Sequence, residues 1–102
     1  MPTTFYYKDT LITLGQNQYE NTELIKQSDP SYIWLHLNSV PSGHIIISSN
    51  KIDKDVVDYA AHCCFSAVSK NKQKLAMYQY AGQQYFDIVV TKVRNLIFDT
   101  PY

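Results

Sequence analysis

Hydrophobic and polar positions divide the chain into short alternating runs and one long helical stripe. Thr3 to Tyr7 (TTFYY) and Leu11 to Leu14 (LITL) predict two strands joined at Lys8-Asp9-Thr10, with Gly15 ending the hairpin. Asn21 is placed to cap a short helix over Thr22 to Lys26, with Glu23 in its first turn, and Asp29-Pro30-Ser31 breaks it. Val57, Ala60, Ala61, Cys64 and Val68 recur at helical spacing, which predicts a long helix from Asp53 to Lys70. Asp53 is its N-cap, and Ile52 with Val57 is placed as a hydrophobic staple. Asp58, Tyr59, His62 and Ser66 fall on the far side. Leu75 to Tyr80, Gln84 to Thr91 and Leu96 to Phe98 predict three further strands, the last two paired through a turn around Lys92 to Asn95. The expected class is α+β, a mostly antiparallel sheet with one long and one short helix packed on it, and the long helix covering one face.

The chain centres on Tyr32 to Ser49, YIWLHLNSVPSGHIIISS, which predicts two strands around a turn holding Pro41 and Gly43. Glycine there supplies a positive φ if the turn needs one. If His36 lies opposite His44, Trp34 lies opposite Ile46, and these four share one face of the hairpin. Ile33, Leu35, Leu37, Ile45 and Ile47 share the other, which is purely apolar and reads as core. The first face is either a second, partly polar core or a binding surface.

With 102 residues the chain is long enough for one domain and one modest core. Lys+Arg and Asp+Glu are equal at 9 each, so no overall field draws in nucleic acid or membrane. The cations are nonetheless uneven. Residues 51–102 carry seven Lys or Arg against five acids, and the first fifty carry two against four. Nine tyrosines suit half-buried strands, interfaces or base stacking. Cys63 and Cys64 are adjacent on a helix and point about 100° apart, so free thiols are expected rather than a disulfide. No charged-then-apolar leader opens the chain and no apolar run approaches a membrane span, which predicts a soluble cytoplasmic protein without membrane contact.

Gly15, Asn17, Asn21 and Leu24, then Ile33-Trp34-Leu35-His36, then Pro41-Ser42-Gly43-His44 form a pattern that resembles the NFACT-R family. Paired Ala60-Ala61 and Ser69-Lys70 follow as that family would have them. The family is the RNA-binding module of ribosome quality-control proteins and also occurs in short stand-alone versions. The resemblance covers most of the chain and implies RNA as partner, either tRNA or ribosomal RNA. The chain departs from the family at Gln16, where an arginine is usual, and at Tyr32, where an acid is usual. Ser42-Gly43 reverses the family's order, and Ala81-Gly82-Gln83-Gln84 replaces a basic segment.

Two constellations are candidate RNA contacts. Trp34, His36 and His44 would stack on bases or hydrogen-bond to phosphate and base edges. Lys70, Lys72 and Lys74, with Lys92 and Arg94, would meet phosphates. Lysine at a helix end, favoured by the negative end of the dipole, accounts for Lys70 alone. Metal binding is not expected, because Asp29 and His62 lack ligand spacing relative to the histidine pair. No nucleophile and base fall at catalytic spacing, so neither an enzyme nor a cofactor is expected. The competing reading is a non-catalytic module that keeps the fold, has lost RNA binding and self-associates as a homodimer through tyrosines and an open sheet edge.

Overall fold

A computed structural model describes residues 2–38, 40–80, 83–86 and 88–99, with side chains described except at 74–80, 83–86 and 97–99. The Thr100-Pro101-Tyr102 tail, Ser39 in the central loop and the Ala81-Gly82 pair lie outside the described residues. The elements are β1 (Thr3–Tyr7), β2 (Thr10–Leu14), α1 (Gln18–Gln27), β3 (Ile33–Leu37), β4 (Ile45–Ile47), α2 (Lys54–Ser66), α3 (Lys70–Ala76), β5 (Met77–Tyr80), β6 (Gln83–Phe86), β7 (Ile88–Lys92) and α4 (Val93–Asp99). Five strands form an antiparallel sheet in the order β1-β2-β4-β3-β7, and β5 and β6 pair apart from it. The fold is α+β, as the pattern predicts.

The first hairpin turns through Lys8 and Asp9, both with positive φ (50° and 59°). A two-residue loop needs that conformation to match strand twist, although neither residue is glycine. Lys8 Nζ then reaches Asp55 Oδ2 at 2.7 Å, tying the turn to the start of α2. At the centre, Trp34 pairs with Ile46 and Leu35 with Ile45, the register read from the sequence. Ile12, Leu14, Ile33, Leu35, Leu37, Ile45 and Ile47 are buried on the face that α2 covers.

Several expectations change. Asn17, not Asn21, caps α1, accepting from Glu20 N at 2.9 Å, and the acid in the first turn is Glu20 rather than Glu23. The helix therefore starts four residues earlier than its apolar pattern suggests. α2 buries Val56, Ala60, Ala61, Cys64 and Phe65, while Val57 and Val68 pack at the margin. Ile52 is 69% exposed, so it forms no staple, and Asp53 does the capping by accepting from Asp55 N and Val56 N. α2 stops at Ser66, because Ser69 starts a new helix: its carbonyl accepts from Gln73 N at 2.9 Å and its hydroxyl from Lys72 N at 3.4 Å. Lys70 thus opens α3 instead of closing α2, which removes the dipole account of it.

Leu75 and Ala76 belong to α3, and the predicted Gln84–Thr91 strand is two strands with different partners, β6 with β5 and β7 with β3. Leu96 to Phe98 is helical. Val93 and Leu96, three apart, both pack on the Trp34 side of the sheet, a spacing that a short apolar run hides. Both sheet faces are therefore covered, by α2 on one and by α1 and α4 on the other.

Ala61 is 3% exposed where α2 meets the sheet. Ala61→Leu is expected to overpack this contact and lose about 1–3 kcal/mol in urea denaturation. Unchanged stability would contradict the packing.

Candidate nucleic-acid interface

The candidate interface lies where three distant segments meet at one end of the sheet. Gly15 follows β2, and its N–H donates to the His44 carbonyl at 2.9 Å. The Asn21 side chain on α1 accepts from His44 N at 3.0 Å. A Cβ on Gly43 would collide with the Gly15 carbonyl oxygen and come within 2.7 Å of Leu14 Cδ1, so no side chain fits there. Gly43 is not in the left-handed region, and what it supplies is room rather than a positive φ.

Ser42 closes the loop from inside, its hydroxyl accepting from Leu37 N at 3.1 Å and donating to Gly43 O at 3.1 Å. Cys64 Sγ donates to the same carbonyl at 3.3 Å, and burial pushes its thiol above the ordinary range. Both cysteines are free, Cys64 buried and Cys63 half-buried.

The loop, the start of α1 and the α2–α3 junction enclose a groove of about 600 Å³. Asn17, Asn21, Pro41, His44, Ser69 and Lys72 are among the residues lining it. Gln73 holds the Lys72 wall in place, its side-chain amide donating to Val68 O at 3.1 Å and Phe65 O at 3.3 Å.

Behind the groove, Trp34, His36 and His44 pack as three mutually contacting rings. Trp34 lies 4.4 Å from His36 with planes tilted by 37°, His44 meets Trp34 edge-on at 5.1 Å, and the two imidazoles meet edge-on at 5.4 Å. Trp34 is 6% exposed, shut in with Ile46 and Val93 under α1 and α4, so its ring offers no open face to a base. Among the described residues, Trp34 Nε1, His36 Nδ1 and His44 Nδ1 are buried with no hydrogen-bond partner. An unpaired polar atom of this kind costs about 1–3 kcal/mol, so the cluster is a polar insertion into a core rather than simple filling. Burial lowers both imidazoles, and His44, further opposed by His36, is held at about 4. Both are therefore neutral at pH 7 and bring no positive charge to phosphate. His44 alone of the three lines the groove.

The five expected cations do not form one patch. Lys72 lines the groove and Lys70, two residues earlier at the start of α3, is exposed, while the Lys74 side chain lies outside the described residues. Lys92 pairs with Ile33 at the opposite end of β3, about 13 Å of strand from Leu37. Its Nζ donates to Asn50 O at 2.8 Å and Ser31 O at 3.2 Å, pinning loops. Arg94 sits beside it, and its charge helps the Ser31 hydrogen bonds lower the Asp29 carboxyl. No group of three or more His, Cys, Asp or Glu among the described residues is placed to hold a metal ion. Asn17 and Asn21 were legible only as part of a motif, and their positions on the groove wall follow from α1 starting early.

The fold class defined here is an α+β domain with an antiparallel sheet covered on both faces. It is similar to the C-terminal structure of the fibronectin/fibrinogen-binding protein from Streptococcus suis, with a TM-score of 0.58 and 18% identity over 89% of this chain and 44% of that one. Coiled-coil domain-containing protein 25 from Bos taurus and from Mus musculus are each 35% identical over 57 residues, 50% of this chain and 27% of their own length. The chain thus spans about a quarter of these curated relatives. No family model matches it.

In the folded chain His44 titrates near 4, against an ordinary value of 6.5, so the unfolded chain takes up the proton first as pH falls. Stability is then complete above pH 6.5 and declines toward pH 4, with His36 adding in the same direction. Because the rings remain partly in water, the loss is about 1–2 kcal/mol. Urea denaturation from pH 7 to 4.5 measures it, and His44→Gln should flatten the decline. A flat wild-type profile would contradict the half-buried neutral pair.

Proposed function

We propose that this chain is an NFACT-R-like module that binds structured RNA, tRNA or ribosomal RNA, through the groove between α1, the Pro41–His44 loop and the α2–α3 junction. The observation that carries the reading is convergence. Asn17 and Asn21, Pro41 to His44, and Ser69 with Lys72 are spread over half the chain, and all line one polar groove. Asn17, Asn21, Pro41 to His44 and Ser69 belong to the pattern that resembles the family, whereas Lys72 lies outside that pattern and Trp34 and His36, which belong to it, lie behind the groove. Side-chain amides, a neutral imidazole and a lysine suit hydrogen bonding to bases, riboses and a few phosphates. The balance of 9 cations and 9 acids supplies no overall field for RNA and favours the competing reading of self-association, so the RNA reading rests on hydrogen bonding within the groove.

A second reading, self-association, draws on one feature: β1 is an edge strand, and Tyr6 on it is 73% exposed. An unpaired edge with an exposed ring can add a strand from a second copy.

A salt titration of RNA binding separates the two. The RNA reading expects measurable affinity at low salt, a slope that falls by about one on Lys72→Gln, and no change on Arg94→Gln. His44→Ala should weaken binding by about 1–3 kcal/mol with little change in slope, circular dichroism confirming that the variant folds. No RNA affinity at low salt, together with a dimer that weakens on Tyr6→Ser, would favour the edge.

A further inference from the structure

The polar groove does not end at Gln16 and Ala67. Those two residues, with Leu14, Gly15 and Gly43, line a passage of about 290 Å³. The passage opens into a cleft of about 380 Å³ between α2 and the first hairpin. Phe5, Leu14, Tyr59 and Cys63 give this cleft its apolar walls, with Gln16 and His62 among its polar ones. Gly15 and Gly43 are what the passage and the groove's framework share, since neither tolerates a Cβ. Tyr59 is fixed by stacking on Tyr7, at 4.5 Å between ring centres and 10° between planes. The side of α2 expected to face solvent thus lines a hollow of the size and character that take small planar ligands.

Resting on the RNA reading above, we propose that the apolar cleft takes one unstacked nucleobase while its ribose and phosphate lie in the groove beside Lys72. The RNA recognised is then single-stranded, such as a loop or an end, and not a continuous duplex. Three observations converge on this. An apolar hollow joined to a polar one matches a nucleotide, which is itself apolar on its base faces and polar along its backbone. An aromatic wall supports any base, because every base has a π-face. A chain with equal numbers of cations and acids has little to offer a duplex, whose bases are hidden and whose recognition runs through backbone and shape.

The test uses a single-stranded RNA oligonucleotide carrying 2-aminopurine, and the same sequence as a duplex, titrated at low salt. The single strand should bind roughly tenfold tighter than the duplex, with a change in 2-aminopurine fluorescence. Cys63→Phe fills the cleft and should weaken the single strand roughly tenfold and abolish the fluorescence change, leaving the duplex unaltered, while Cys63→Ser should behave as wild type. Ala67→Phe blocks the passage from an exposed position and serves if Cys63→Phe fails to fold. Single-strand affinity unchanged in a folded blocking variant, or a duplex bound as tightly as the single strand, overturns the base pocket and leaves RNA binding standing. Binding of neither RNA overturns both.

Discussion

Everything at the groove end of this molecule depends on how closely two backbones approach at Gly15 and Gly43. There is no room for a Cβ on Gly43 against the Gly15 carbonyl, and the Gly15 N–H closes the contact by donating to His44 O at 2.9 Å. Asn21 adds a third tie, accepting from His44 N. These bonds fix where β4 begins. Because β4 lies between β2 and β3, its position sets the register on both sides and decides which face each side chain meets.

From that constraint the two faces take different characters. One is an ordinary aliphatic core, with Ile12, Leu35 and Ile45 fully buried beneath α2. The other holds Trp34 and the histidine pair under shorter helices, with polar atoms left unpaired and imidazoles kept neutral. His44 belongs to both the ring cluster and the groove, so the packing of a half-buried ring against Trp34 and His36 governs a wall of the candidate interface. Cys64 and Ser42 support the same loop from beneath.

The first four strands and the β3–β4 register were legible, and Trp34 opposite Ile46 follows from residue order alone, whereas the split of Gln84–Thr91 into β6 and β7 and the helical state of Leu75–Ala76 and Leu96–Phe98 were not. The capping of α2 by Asp53 was legible for a similar local reason. What was not legible depends on competition between neighbours. Ser69 interrupts an apolar stripe that would otherwise run on, and Asn17 rather than Asn21 caps α1, while the Asn21 side chain, inside the helix, accepts from His44 N. Val93 to Asp99 is too short for periodicity to separate helix from strand. Of the candidate site, the histidines and the loop were visible as a motif, but the separation of Lys72 from Lys92 and Arg94 is a property of the β3–β7 pairing. The burial of Trp34 required knowing that a second helix layer covers its face.

The most direct test of the groove is a map of backbone amide shifts in a 15N-labelled sample as single-stranded RNA is added. The account predicts perturbations at Gly15, Asn17, Asn21, Gly43, His44 and Ala67 to Lys72, with Ser31, Lys92 and Arg94 undisturbed. Shifts centred on Lys92 and Arg94, or on the β1 edge at Thr4 to Tyr6 with the groove silent, would contradict it.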